Sequence, residues 1–278
     1  MTRLVLAALL CALPLAAPAA ERIVSAGGSV TETVFALGGG DAVVARDTTS
    51  SWPPEVEALP DVGYVRRLSP EGVLSVAPDL ILAEEGAGPA ETVAILEAAE
   101  VPFVTIPDAT DAAGVERKIL AVGRALGPEA EAKAERLASR IRAEIEQVGT
   151  RSAGIDRKAR VLFLLSAEGG RLMASGTGTA ADAMIDLAGG ENAVTGFEGY
   201  KPLTDEAVLA AAPDVVLMME GRAGDHGGAG VLAHPALAVT PAGREGRLVE
   251  MDGLYLLGFG PRTAQAVADL HAALYPED

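Results

Sequence analysis

Beyond its first twenty residues the chain has no cysteine, because the one thiol among its 278 residues is Cys11. That absence excludes zinc–thiolate sites, iron–sulfur clusters, cysteine nucleophiles and disulfides from the mature protein. Basic residues are scarce as well: 22 Lys and Arg stand against 39 Asp and Glu, a formal net charge of −17. So acidic a chain repels nucleic acid and anionic membrane surfaces, and neither is an expected partner. Aromatic residues make up only 4% of the sequence, so the position of each of the four tyrosines is informative. The one long apolar run covers residues 4–17. Nucleotide and nucleophile motifs are missing too. G-T-G-T-A-A-D from Gly176 lacks the lysine of a phosphate loop, Gly27-Gly28 is not a full G-x-G-x-x-G, and no G-x-S-x-G occurs. The three histidines show no H-x-x-x-H spacing that would support a stand-alone metal site.

What is present begins with an export pattern. Arg3 precedes the apolar run, and small residues ending A-P-A-A lead to Glu21, so residues 1–20 read as a signal peptide cleaved near Ala20. Leu10 stands before Cys11 where a lipoprotein signal needs a small residue, which argues against a lipid anchor. An exported chain without disulfides relies on its core, and roughly 258 residues suffice to bury one or two α/β cores.

The chain also repeats itself. L-S-P-E-G-V-L-S-V-A-P-D-L-I-L from Leu68 aligns without gaps on L-T-D-E-A-V-L-A-A-A-P-D-V-V-L from Leu203, with eight identities in fifteen at an offset of 135. T-E-T-V-F-A-L-G-G-G-D-A-V from Thr31 similarly resembles A-A-D-A-M-I-D-L-A-G-G-E-N-A-V from Ala180. Two echoes in the same order imply two similar halves.

Each half reads as alternating β and α. Strand-like runs occupy 23–26, 41–45, 79–83 and 102–106 in the first half, and 161–165, 214–218 and 248–251 in the second, with a closing helix over 262–274. Ser29 and Glu32 match a capping box for the first helix. Alternation of this kind implies parallel sheets flanked by helices. Between the halves, Pro128 suits a first helical position, Gly149 a terminator, and Leu137, Ile141, Ile145 and Val148 form a stripe at helical spacing. The expected organisation is an N-terminal lobe (21–127), a linking helix (128–149) about 30 Å long, a C-terminal lobe (150–278), and a ligand cleft between the lobes.

Chemistry-bearing residues cluster near the repeat. Glu71 and Glu206 occupy equivalent positions at the starts of helices. Each complements a helix dipole, an effect of roughly 0.3–1 kcal/mol, or the pair docks on basic sockets of a two-fold symmetric partner. Tyr64 sits in G-Y-V-R-R-L-S-P-E and is echoed by Tyr200 in G-Y-K-P-L-T-D-E. A tyrosine is commonly a half-buried packing residue, but a neighbouring guanidinium favours phenolate over phenol, and phenolate is a hard donor suited to ferric iron. Arg66 and Arg67 serve that role or remain solvated charges or ion-pair partners. His271 lies in an apolar helix and reads as structural, and His234 precedes Pro235 at a turn. His226 falls in a Gly-rich loop after a strand end, where open α/β sheets place ligands, so it is either a second ligand or a solvent-facing loop residue.

Taken together, R-I-V-S-A-G-G-S-V-T-E, the Tyr64 stretch, T-A-A-D-A-M-I-D-L-A-G-G-E-N-A, G-Y-K-P-L-T-D-E and M-D-G-L-Y-L-L-G-F-G-P-R-T resemble the class III substrate-binding proteins of bacterial ABC importers, specifically periplasmic haem-binding receptors. The resemblance covers essentially the whole mature chain. The P-D-L-I-L repeats are shared with siderophore and cobalamin receptors, and the Tyr64 stretch is the more selective piece. The family implies two Rossmann-like lobes joined by one long backbone helix. It implies that Tyr64 binds the iron of ferric haem b as tyrosinate while Arg66 hydrogen-bonds the phenolate. It also implies that Glu71 and Glu206 pair with arginines of an inner-membrane ABC permease dimer that works with its ATPase. Some members add a histidine near M-A-S-G-T-G-T; here Ser175, Gly176 and Thr177 stand there, so an open or water-filled sixth position is expected. Arg67, Tyr200 and His226 are further candidates for the cleft, and Lys201, Arg222 and Arg262 for the haem propionates. A monomeric receptor without enzymatic activity, touching membrane protein only transiently, is the resulting expectation. A ferric-siderophore or cobalamin receptor is the alternative, and an exported enzyme using cleft carboxylates a remote one.

Overall fold

The computed structural model describes residues 20–222 and 227–276. The export signal with Cys11 lies outside the described residues, and so does His226. The first half runs β1 (Ile23–Ala26), α1 (Gly28–Ala36), β2 (Val43–Arg46), α2 (Pro70–Ser75), β3 (Leu80–Glu84), α3 (Ala90–Glu97), β4 (Phe103–Ile106) and α4 (Ala112–Leu126). Then comes α5 (Pro128–Ser152). The second half follows with β5 (Arg160–Ser166), β6 (Leu172–Ser175), α6 (Ala180–Leu187), β7 (Glu191–Asn192), β8 (Tyr200–Leu203), α7 (Asp205–Ala211), β9 (Val215–Met219), α8 (Gly227–Leu232), α9 (Pro235–Ala238), α10 (Pro241–Glu245), β10 (Leu248–Met251), α11 (Gly253–Leu257) and α12 (Thr263–Leu274).

The first sheet has order β2-β1-β3-β4 and is parallel throughout. Its central strands β1 and β3 are buried along nearly their whole length and mostly apolar, with Ser25 and the terminal Glu84 as the polar exceptions, because helices cover both faces. The second sheet, β10-β9-β5-β6-β8, is parallel across β10, β9 and β5. Beyond β5 it departs from the expected plan, since β6 and β8 add antiparallel. These strands are short and lack an alternating apolar run, and only pairing, of β6 with β5 and of β8 with β6, makes them strands. Pro202 is compatible with β8 because that strand is the sheet edge.

The repeat at offset 135 acquires a physical meaning here. In each half the Asp of Pro-Asp clasps the start of the lobe's first strand. Asp79 accepts from the Glu21 and Arg22 amides at 2.9 and 3.0 Å, and Asp214 accepts from the Arg160 amide at 2.9 Å. The preceding helices both end at a left-handed alanine, Ala77 (φ 47°) and Ala212 (φ 39°). An arginine at the start of the lobe's first strand then caps the freed carbonyls: Arg22, just before β1, on Ala77 and Arg160, the first residue of β5, on Ala211.

Helix α5 spans 25 residues, three beyond the expected end, and is about 37 Å long. It is not a free rod between lobes. Ala134, Ala138, Ile141, Ile145 and Val148 are buried in one continuous core that also contains Ile23 and Ile119 of the first half and Phe163 and Leu270 of the second. Leu137, expected on the buried stripe, is only partly buried and borders a surface pocket, while Ala134 packs closely against Gly123 of α4. The capping box is corrected as well. Gly27 stands at the N-cap of α1 without a side-chain cap, Ser29 donates to Glu84, and Glu32 accepts from Arg262.

Candidate functional site

Between the two sheets lies a cleft of about 760 Å³, lined from the first half by residues that include Gly28, Thr49, Tyr64, Arg66 and Glu84 and from the second by Tyr200, Met219, Arg222 and Leu254. Strand ends and the loops after them build this rim, the usual ligand position in open α/β sheets. The volume falls within the range of about 300–1,000 Å³ typical of small-molecule sites.

Both tyrosines reach the cleft through the same local device. Gly63 (φ 97°) precedes Tyr64 and Gly199 (φ 79°) precedes Tyr200, and each glycine takes a left-handed conformation that an L side chain rarely adopts. The Tyr64 loop is laid along the edge of β2: the Val62 amide donates to the Arg46 carbonyl at 2.9 Å, and the Thr48 amide donates to the Gly63 carbonyl at 3.0 Å. Tyr64 remains 43% exposed. Tyr200 begins β8, pairs with Ser175 across to β6, and meets the edge of Phe163 at 6.4 Å. Burial pushes the Tyr200 phenol above its ordinary pKa, against the opposing hydrogen bond with Thr179. The Arg66 guanidinium borders the cleft and donates to the Gly86 carbonyl at 3.2 Å.

Not every sequence candidate borders the cleft. Arg67 is exposed on the short turn after Tyr64, outside the lining. Lys201 lies 5.3 Å over the Phe197 ring on the outer edge strand. Arg262 is committed elsewhere: it pairs with buried Glu32 at 3.0 Å and sits between the rings of Trp52 (4.4 Å) and Tyr255 (5.1 Å). Burial holds the Glu32 carboxyl above its ordinary value despite that pair. Of the three propionate candidates only Arg222 faces the cleft. Glu71 and Glu206 are exposed in the first turns of α2 and α7, whose N-caps Ser69 and Thr204 accept from Gly72 and Ala207. The Glu206 carboxyl is held below its ordinary value by its own amide and the Thr204 hydroxyl.

His234 accepts the Ala236 amide at Nδ1 and donates from Nε2 to the Gly170 carbonyl. His271 is structural, with Nδ1 donating to the Ala188 carbonyl at 2.9 Å. At the second-lobe lip, a Cβ on Gly176 would stand 2.1 Å from the Phe197 carbonyl oxygen. The packing therefore excludes any side chain at that point, a histidine included.

The sequence reading missed the cleft floor. Lys118 of α4 is wholly buried, with its ammonium 2.8 Å from both Ser29 Oγ and Glu84 Oε1, 3.5 Å from Asp108, and 3.2 Å from the Gly258 carbonyl of the other lobe. In the sequence it looks like one more solvated charge on an amphipathic helix. Glu84 carried the better signal, as the charged residue closing the apolar run L-I-L-A-E.

Residues 23–254 match the model of the family described as periplasmic binding protein. The chain belongs to the periplasmic binding protein family. Among solved structures this periplasmic binding protein is similar to the heme-binding protein RhuT from Roseiflexus sp. RS-1 in apo form, at 44% identity, TM-score 0.86, with 92% of this chain and 98% of that one covered. It is similar to the periplasmic heme-binding protein BhuT, solved in complex with two hemes, at 42% identity, TM-score 0.85 and coverage of 91% and 97%. A curated relative, the vitamin B12-binding protein of Yersinia pestis (strain Pestoides F), is 29% identical over 212 residues, 76% of this chain and 73% of its own length.

Proposed function

We propose that this periplasmic binding protein is the receptor for ferric haem b of a bacterial haem importer, which holds the haem in the cleft and delivers it to an inner-membrane ABC permease dimer with its ATPase. The observation that carries the reading is Tyr64, a half-exposed phenol held on a clamped loop at the cleft rim. The similarity to heme-binding proteins at 42–44% identity over nearly the whole chain supports the same ligand. In this reading the Tyr64 phenolate binds the iron and Arg66 turns from the Gly86 carbonyl to hydrogen-bond the phenolate oxygen. Arg222 meets a propionate. The sixth iron position is open or holds water in this reading, as residues 175–177 offer no histidine and a side chain at Gly176 would clash with Phe197. Porphyrin faces supply the apolar burial, about 25 cal/mol per Å² before the costs of association. Glu71 and Glu206, one on each lobe, dock on the two permease subunits. The protein works as a monomer in the periplasm after cleavage near Ala20.

Visible spectra of the mature protein mixed with hemin test the assignment. The wild type is expected to show a tyrosinate-to-iron charge-transfer band that Tyr64→Ala lacks. The vitamin B12-binding relative favours a second reading, a cobalamin receptor. Cobalamin would be held without an iron–phenolate bond, so cyanocobalamin binding unaffected by Tyr64→Phe, with no hemin band in the wild type, would establish that reading instead.

A further inference from the structure

We propose that Asp47 is the positioning residue of the haem site, fixing the backbone that carries Tyr64. The proposal rests on Tyr64 being the iron ligand. Asp47 follows β2 and is 0% exposed. Its carboxylate accepts five hydrogen bonds, all from uncharged donors. Oδ1 takes the Gly27 amide at 2.9 Å and the Ser50 hydroxyl at 2.7 Å; Oδ2 takes the Thr49 amide at 3.0 Å, the Thr49 hydroxyl at 2.7 Å and the Val65 amide at 3.3 Å. One side chain thus joins three segments of the cleft wall: the glycine turn into α1, the loop after β2, and the residue next to Tyr64. The Thr49 hydroxyl carries the network one step further by accepting the Gly28 amide at 3.0 Å.

Tyr64 needs such a clamp because its own side chain is too exposed to be held by packing. An axial ligand must stand within about 0.5 Å and 10–20° of its productive geometry. Here the constraint acts on the backbone from both sides, with Thr48 holding the Gly63 carbonyl and Asp47 the Val65 amide. Only a carboxylate satisfies the site. Asparagine has one acceptor oxygen and would turn an N–H group toward amide donors, and glutamate adds a methylene where no space is open.

The test compares hemin complexes of wild type, Asp47→Asn, Ser50→Ala and Tyr64→Ala. Ser50→Ala removes one of the five donors but leaves the Val65 contact, so it serves as the control for general destabilisation. Asp47→Asn is expected to release hemin about 10- to 100-fold faster, the usual effect of losing a group that orients a metal ligand, and to weaken or shift the charge-transfer band at saturating hemin. Ser50→Ala is expected to melt lower but keep the wild-type band and release rate. A folded Asp47→Asn with wild-type band and release rate, beside a Tyr64→Ala without the band, overturns the positioning role and leaves the ligand assignment standing. A band retained in Tyr64→Ala overturns both. Hydrogen exchange of the Val65 amide in the unliganded wild type decides the matter if Asp47→Asn does not fold: strong protection supports the clamp, and exchange at the rate of an open loop refutes it.

Discussion

Replacing Asp214 by alanine removes an acceptor on which the start of β5 depends. The carboxylate receives the Arg160 amide at 2.9 Å and the Arg157 guanidinium at 3.0 Å, and its side chain is only 12% exposed. A hydrogen bond to a charged group contributes about 1.5–3 kcal/mol. The Arg157 pair adds less than about 1 kcal/mol, because Arg157 is 73% exposed and screened. The expected loss is therefore about 2–3 kcal/mol in equilibrium urea unfolding, seen as a lower midpoint at unchanged slope. Asp79, its repeat partner, makes the same kind of contact but is exposed, so water replaces it and Asp79→Ala is expected to lose about 1 kcal/mol or less. Acidification supplies a second readout. Burial alone would raise the Asp214 carboxyl, but the Arg160 amide and Arg157 outweigh it and hold it below its ordinary value. A folded-state pKa below the unfolded one means stability that is present above about pH 4 and is lost as pH falls through the lowered value. The gap between wild type and Asp214→Ala should then close below about pH 4. Equal losses at the two positions, or a loss at Asp214 under about 0.5 kcal/mol, would refute the idea that this aspartate locks the second sheet.

Ala212→Gly should stabilise the protein by about 0.5–1 kcal/mol in the same assay, since a left-handed alanine costs about 1–2 kcal/mol and glycine returns part of that as chain entropy. Arg262→Leu leaves Glu32 buried without its partner and should destabilise by about 3 kcal/mol, yet leave the hemin spectrum of the folded protein unchanged. A changed spectrum would restore Arg262 to the haem site. Glu71→Arg combined with Glu206→Arg should leave hemin binding intact and abolish haem uptake by cells carrying the transporter, and undiminished uptake would remove both residues from the permease contact.

Sequence by itself determined the features that depend on local pattern. Short apolar-rich runs bounded by Pro-Asp and Gly placed β1, β3, β4, β5, β9 and β10 within a residue or two, because strands of a helix-covered parallel sheet are mostly apolar. The offset of 135 disclosed the two halves, and Gly63-Tyr64 with Gly199-Tyr200 disclosed the pair of cleft tyrosines, because a left-handed turn demands glycine. Tertiary structure alone decided the partners. Glu32 and Ser29 read as a cap but bond to Arg262 and Glu84, 230 and 55 residues away. Lys118 and Asp47 carry no local signal in the sequence, although both are wholly buried behind residues that line the cleft. The antiparallel addition of β6 and β8 has no local signature. A buried charge is stable only where several distant groups converge on it, and that convergence is a property of the folded chain that no window of residues contains.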